Sequence, residues 1–126
     1  MGRRLVLLGS LFAFLGVAMG AFGTHVLADR LQANGRQSTY DTAVQYHLIH
    51  SLAILLLSSA RLRWRVRLTA ISGLLFIFGI LLFSGSLYIL AIFDIPQLGA
   101  VAPVGGAAFL LGWFSLFLAA WRDNSE

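Results

Sequence analysis

Leu68-Thr-Ala-Ile-Ser-Gly-Leu-Leu-Phe-Ile-Phe-Gly-Ile-Leu-Leu-Phe-Ser-Gly-Ser-Leu-Tyr-Ile-Leu-Ala-Ile-Phe93 runs for 26 residues without a charged side chain. As a helix it is about 39 Å long at 1.5 Å per residue. A hydrocarbon core about 30 Å thick takes about 20 helical residues, so this stretch can cross a bilayer. Three more stretches have the same character: Leu5–Ala28, Ala43–Ala60 and Ile95–Trp121 also lack Asp, Glu, Lys and Arg. Water is missing from the hydrocarbon, so each segment must satisfy its own backbone as a helix. The reading is an all-α, membrane four-helix bundle. It occupies residues 1–126 as a single four-span domain, with spans at about 5–28, 39–60, 68–93 and 100–121.

Composition agrees. Apolar residues make up 59% of the 126, more than a soluble domain of this length can hide. There is no cysteine, which excludes disulfides and thiol chemistry. The net charge of +4 comes from nine arginines placed at span ends. Arg3, Arg4, Arg61, Arg63, Arg65, Arg67 and Arg122 fall on one side of the four-span arrangement, and Arg30 and Arg36 on the other. The positive-inside rule then puts both termini in the cytoplasm of a bacterial inner membrane. No basic face is interleaved with base-stacking aromatics, so nucleic acid is not an expected partner. The first span resembles a secretory leader, with Ala18-Met19-Gly20 as a small-residue site. The apolar run continues to Ala28, which favours an uncleaved helix.

Along the chain, Gly16 and Gly20 form a GxxxG that lets another helix approach closely. Gly23, Gly85, Gly105 and Gly106 extend the set of expected packing positions. The helix is expected to run on to about Ala33, before the turn signal Asn34-Gly35. Ser38 and Asp41 have the spacing of a capping box, starting the second helix near Thr39. Arg61, Arg63, Arg65 and Arg67 surround Trp64. They read as a topology signal with an interfacial anchor, or as a site for anionic lipid headgroups. Pro103 suits the first turn of a helix, which would make residues 95–102 a separate short segment; a continuous helix kinked at Pro103 is the alternative. Trp113 falls near mid-membrane, where its N–H needs a partner.

Polar side chains within the spans gather in one half of the bilayer: His25, Tyr46, His47, His50, Ser84, Ser86 and Tyr88. Such groups are costly in hydrocarbon and face the protein interior. They read first as an interhelical hydrogen-bond network, and second as a small-ligand or proton site open to the outside. The histidine spacing matches no standard zinc motif. No catalytic constellation and no cofactor motif is present, so no cofactor is expected.

Gly20-Ala-Phe-Gly-Thr-His25, Thr42-Ala-Val-Gln-Tyr-His-Leu-Ile-His-Ser-Leu-Ala53, Phe83-Ser-Gly-Ser-Leu-Tyr88 and Ala102-Pro-Val-Gly-Gly106, followed by Gly112-Trp113, occur in order. They resemble the motifs "GAFGAH", "TAxxYQxxHALA", "FSGSLY" and "TPxGG…GW" of a family of small bacterial membrane proteins, domain of unknown function 423. Its eukaryotic relatives are called transmembrane protein 256. The resemblance implies a four-span inner-membrane protein and no established activity. His25, Tyr46, His50, Ser84, Gly85, Ser86, Tyr88, Pro103, Gly105, Gly106 and Trp113 match; Thr24, His47 and Ala102 depart. The expected function is that of a non-catalytic accessory, scaffold or assembly subunit. Its partners would be the bilayer, anionic lipid, and another membrane protein or a second copy. A small transporter or proton- or ligand-binding protein is the alternative.

Overall fold

The computed structural model describes residues 2–60 and 66–122. Four helical segments are long and apolar enough to cross a membrane: Gly2–His25, Gln37–Ala60, Val66–Phe93 and Pro96–Trp121. No strand occurs among the described residues. Arg61, Arg63 and Arg65, with Trp64, lie outside the described residues; Arg67 is exposed at the start of its helix.

Helix α1 (Gly2–His25) stops earlier than the apolar run suggested. The Leu27 amide reaches back five residues to the Phe22 carbonyl, and the chain restarts as α2 (Ala28–Asn34). The break redirects Leu31, which becomes fully buried beside Tyr40, Ala43, Tyr88 and Ala91. Gly35 then closes α2 at φ 65°, a left-handed conformation that glycine adopts without steric cost. Its neighbour Arg36 donates to the Leu31 carbonyl at 2.9 Å, completing a Schellman-type end.

Helix α3 (Gln37–Ala60) begins two residues before the expected start and without the capping box. Asp41 instead accepts from the Gln37 side chain at 3.0 Å, and the Ser38 carbonyl accepts from the Thr42 hydroxyl at 2.9 Å. The third span is not one regular helix. It comprises α4 (Val66–Gly79), a π turn (Ile80–Ser84) and α5 (Gly85–Phe93), with the Gly85 amide bonded to the Ile80 carbonyl. A 3₁₀ turn (Pro96–Ala100) precedes α6 (Ala102–Trp121), so Pro103 sits in the first turn of α6 and no kink is needed.

α2 caps α5. The last carbonyls of a helix lack partners within it. Here Arg30 Nε donates to the Ile92 carbonyl at 2.8 Å, and Asn34 Nδ2 donates to the Ala91 and Ile92 carbonyls at 3.1 Å. Arg36 pairs with Asp94 at 3.0 Å, where Asp94 holds the left-handed C-cap position at φ 50°. The first hairpin is thus tied to the second at the α2 end of the bundle.

Within the bundle α1 packs on α3, α4 packs on α6, and α3 also meets the third span. Glycines make these contacts close. A methyl group at Gly16 would strike Leu48, and one at Gly23 would strike the Tyr40 ring. At Gly105 it would collide with the backbone nitrogen of Phe83 in the π turn. Gly20 and Gly106 have ordinary van der Waals distances instead, 3.4 Å to Val44 and 3.8 Å to Phe83. Gly85 meets only the Ile80 carbonyl of its own span, at 3.9 Å, so it is no close-approach position between helices. Gly9, Gly79 and Gly112, which were not among the expected packing positions, face Leu55, Phe109 and Phe76 across tight contacts.

Candidate functional site

Tyr46 and His50 are one helical turn apart on α3, and Phe109 and Trp113 are one turn apart on α6. Residues at this spacing share a helix face. The two pairs meet. The His50 imidazole stacks on Phe109 with centroids 3.5 Å apart and planes 10° from parallel. Trp113 Nε1–H donates to His50 Nε2 at 3.0 Å, and His50 Nδ1 lies 2.7 Å from the Tyr46 carbonyl. A carbonyl oxygen can only accept, so Nδ1 carries the proton; an indole N–H can only donate, so Nε2 carries the lone pair. The geometry selects the neutral Nδ1–H tautomer and uses both nitrogens.

A groove of about 500 Å³ opens beside this cluster, between α3, the π turn and α6. Its walls include the rings of Tyr46, His50, Phe83, Phe109 and Trp113, and Pro103, Gly106, Ala107 and Leu110 complete it. Phe83 is delivered by the π turn and packs 4.7 Å from the Tyr46 ring. Short π segments are rare and often occur at functional sites. The Tyr46 hydroxyl has no hydrogen-bond partner among the described residues, and the side chain is 40% exposed.

The remaining polar residues do not join this group. One residue along a helix is a rotation of 100°, so His47 points away from Tyr46 and toward α1 and α5. Its Nδ1 lies 2.9 Å from the Tyr88 hydroxyl, and its ring meets Phe12 edge-on. His47 Nε2 is buried without a hydrogen-bond partner among the described residues. Tyr88 packs on Tyr40, whose hydroxyl donates to the Met19 carbonyl of α1. Ser84 donates to the Ala43 carbonyl at 2.8 Å and so ties the π turn to α3. Ser86 is buried too, but it turns back to the Phe83 carbonyl at 3.0 Å within its own span.

The expectation of a single cluster is therefore corrected in two ways. It divides into a Tyr46–His50–Trp113 group and a His47–Tyr88 group. His25 belongs to neither: it is exposed on α1 beside Phe22 and Val26, with no hydrogen bond among the described residues. The Thr24 hydroxyl likewise bonds back to the Gly20 carbonyl of its own helix. Among the described residues, no three His, Asp or Glu side chains are placed to hold a metal ion together. Phe83 and Phe109 were not singled out in the sequence. The one-turn spacing of Phe109 and Trp113 was the available signal, since it repeats that of Tyr46 and His50.

Four long apolar helices and polar groups paired between them define a multi-pass integral membrane protein. The chain belongs to the family described as "Protein of unknown function (DUF423)", whose profile matches residues 19–106. It is 39% identical to the UPF0382 membrane protein YwdK of Bacillus subtilis, over 91% of this chain and 94% of that one. It is 38% identical to a UPF0382 membrane protein of Staphylococcus epidermidis, over 93% and 94%. The corresponding figures for the UPF0382 inner membrane protein YgdD of Escherichia coli are 37%, 95% and 91%. No solved structure matches the chain.

Proposed function

We propose that the chain acts, as one four-span unit with both termini in the cytoplasm, as a non-catalytic accessory, scaffold or assembly subunit of the membrane. The observation that supports this is the full engagement of His50. A general acid, base or proton carrier needs a ring nitrogen that can gain or release a proton. Here Nδ1–H is given to the Tyr46 carbonyl and Nε2 accepts from Trp113. Ser84, bonded to the α3 backbone, is likewise occupied in joining helices. His50 and Ser84 thus serve helix association, through the Trp113 N–H of α6 and the Ala43 carbonyl of α3.

The test is recovery of the tagged chain from native membranes at its natural expression level. A stoichiometric membrane-protein partner, or a second copy of the chain, is the expected result. A chain recovered alone that moves a solute when reconstituted in vesicles would favour the small-transporter alternative.

A further inference from the structure

The groove beside Tyr46 is not needed to join the helices. We infer that it is a binding site for a membrane-soluble quinone, a neutral ring carrying carbonyl oxygens on an apolar tail. Three properties of the groove select that chemistry.

The first is its walls. Tyr46, Phe83, Phe109 and Trp113 present aromatic surface to a space of about 500 Å³, within the usual range for small-molecule pockets. Phenol and indole faces are electron-rich, and they stack well on a flat ring depleted of electrons. A quinone ring is of that kind. An acyl chain would fill the volume but gain nothing from the aromatic walls.

The second is the polar inventory. The Tyr46 phenol is the donor left over, since Trp113 N–H and His50 Nδ1–H are both used within the protein. A hydroxyl without a partner in hydrocarbon is costly. A ligand carbonyl accepts from it and brings no donor of its own to satisfy. Among the described residues no charged side chain lines the groove, and its one imidazole, His50, has both nitrogens engaged, so the groove selects an uncharged ligand.

The third is rigidity. Tyr46 is packed 4.7 Å from Phe83, and Trp113 is held by His50, so the walls are set before anything enters. Preorganised sites lose less entropy on binding. The groove runs along the first half of α6, from Pro103 to Trp113, and beside the middle of α3, within the apolar spans where quinones partition.

The experiment uses the full chain in phosphatidylcholine nanodiscs free of quinone. Trp64→Phe and Trp121→Phe leave Trp113 as the sole indole, so its fluorescence reports on the groove. Titration with a naphthoquinone carrying a short prenyl chain should quench Trp113 saturably. Tyr46→Phe keeps the ring and removes the donor, and should weaken binding about five- to tenfold. Gly106→Leu should abolish saturation by filling the groove; a Cβ there meets only the Phe83 side chain, at 3.8 Å, so the fold can accept it. Quenching that rises linearly and equally in all variants would show collision in the lipid and overturn the proposal. So would equal competition by the ring-free prenyl alcohol, which would show a chain-binding groove. Neither result bears on the subunit role, which is read from recovered partners.

Discussion

Removing one hydrogen from the centre of the bundle tests how its polar groups are used. Trp113→Phe deletes the indole N–H and part of the ring while keeping an aromatic side chain against Phe76, now 4.8 Å away between centroids. His50 Nε2 then faces no donor. His50 is 3% exposed, so water cannot substitute freely. An unsatisfied buried acceptor costs about 1–3 kcal/mol in water-soluble proteins, while interhelical hydrogen bonds in membranes average nearer 0.6 kcal/mol and reach about 1.7. The membrane range applies because the separated helices keep their side chains in lipid. A loss of about 1 kcal/mol is expected from the hydrogen bond, with a smaller addition for lost ring area. His50→Ala removes more: the stack on Phe109, both hydrogen bonds and most of the side-chain volume, for about 3 kcal/mol. In the His50→Ala background the Trp113 N–H has already lost its acceptor, so Trp113→Phe costs much less there. A double-mutant cycle should therefore give a coupling of about 1 kcal/mol. Reversible unfolding in mixed micelles, followed by circular dichroism, measures it. Costs that add to within about 0.3 kcal/mol would refute the interaction and, with it, the argument for a single tautomer.

Three further outcomes follow from other parts of the fold. Gly105→Ala forces a Cβ onto the Phe83 backbone and should destabilise the bundle by about 1–3 kcal/mol, whereas Gly106→Ala, with its nearest contact at 3.8 Å, should stay within about 0.5 kcal/mol; the same unfolding assay compares them. Asn34→Ala frees the Ala91 and Ile92 carbonyls from one of their donors and should cost about 1 kcal/mol, with hydrogen exchange rising in α2 and at the end of α5 before the rest of the bundle. For orientation, a reporter active only outside the cytoplasm should be silent when fused after Glu126 and active when inserted at Asn34; the reverse pattern would refute cytoplasmic termini.

The family motifs pointed to Tyr46, His50, Ser84, Tyr88, Gly105 and Trp113 as positions, but not to how they pair. Tyr46, His47 and His50 are close in sequence, and only their rotation about α3 separates them. His25 matched a family motif and yet lies exposed on α1, because α1 turns that face outward. The π turn was not legible either. Ile80–Ser84 reads as ordinary apolar helix, and the extra residue in its turn is seen only in the backbone bonds that deliver Phe83 to the groove.

The membrane class, the four spans and the pattern of arginines at their ends were determined by the sequence by itself. Each depends on a sum along the chain: apolar transfer energy over about 20 residues, and charge counted loop by loop. A one-dimensional sum needs no knowledge of neighbours. The break after His25, the capping of α5 by Arg30 and Asn34, the division of the histidines and the groove beside Tyr46 were decided by the tertiary structure alone. Each depends on how far one helix is rotated and displaced against another, and in these helices apolar residues lie on every side. Hydropathy cannot set that rotation. It is set by where glycines let backbones approach and where a buried hydrogen-bonding group finds its partner.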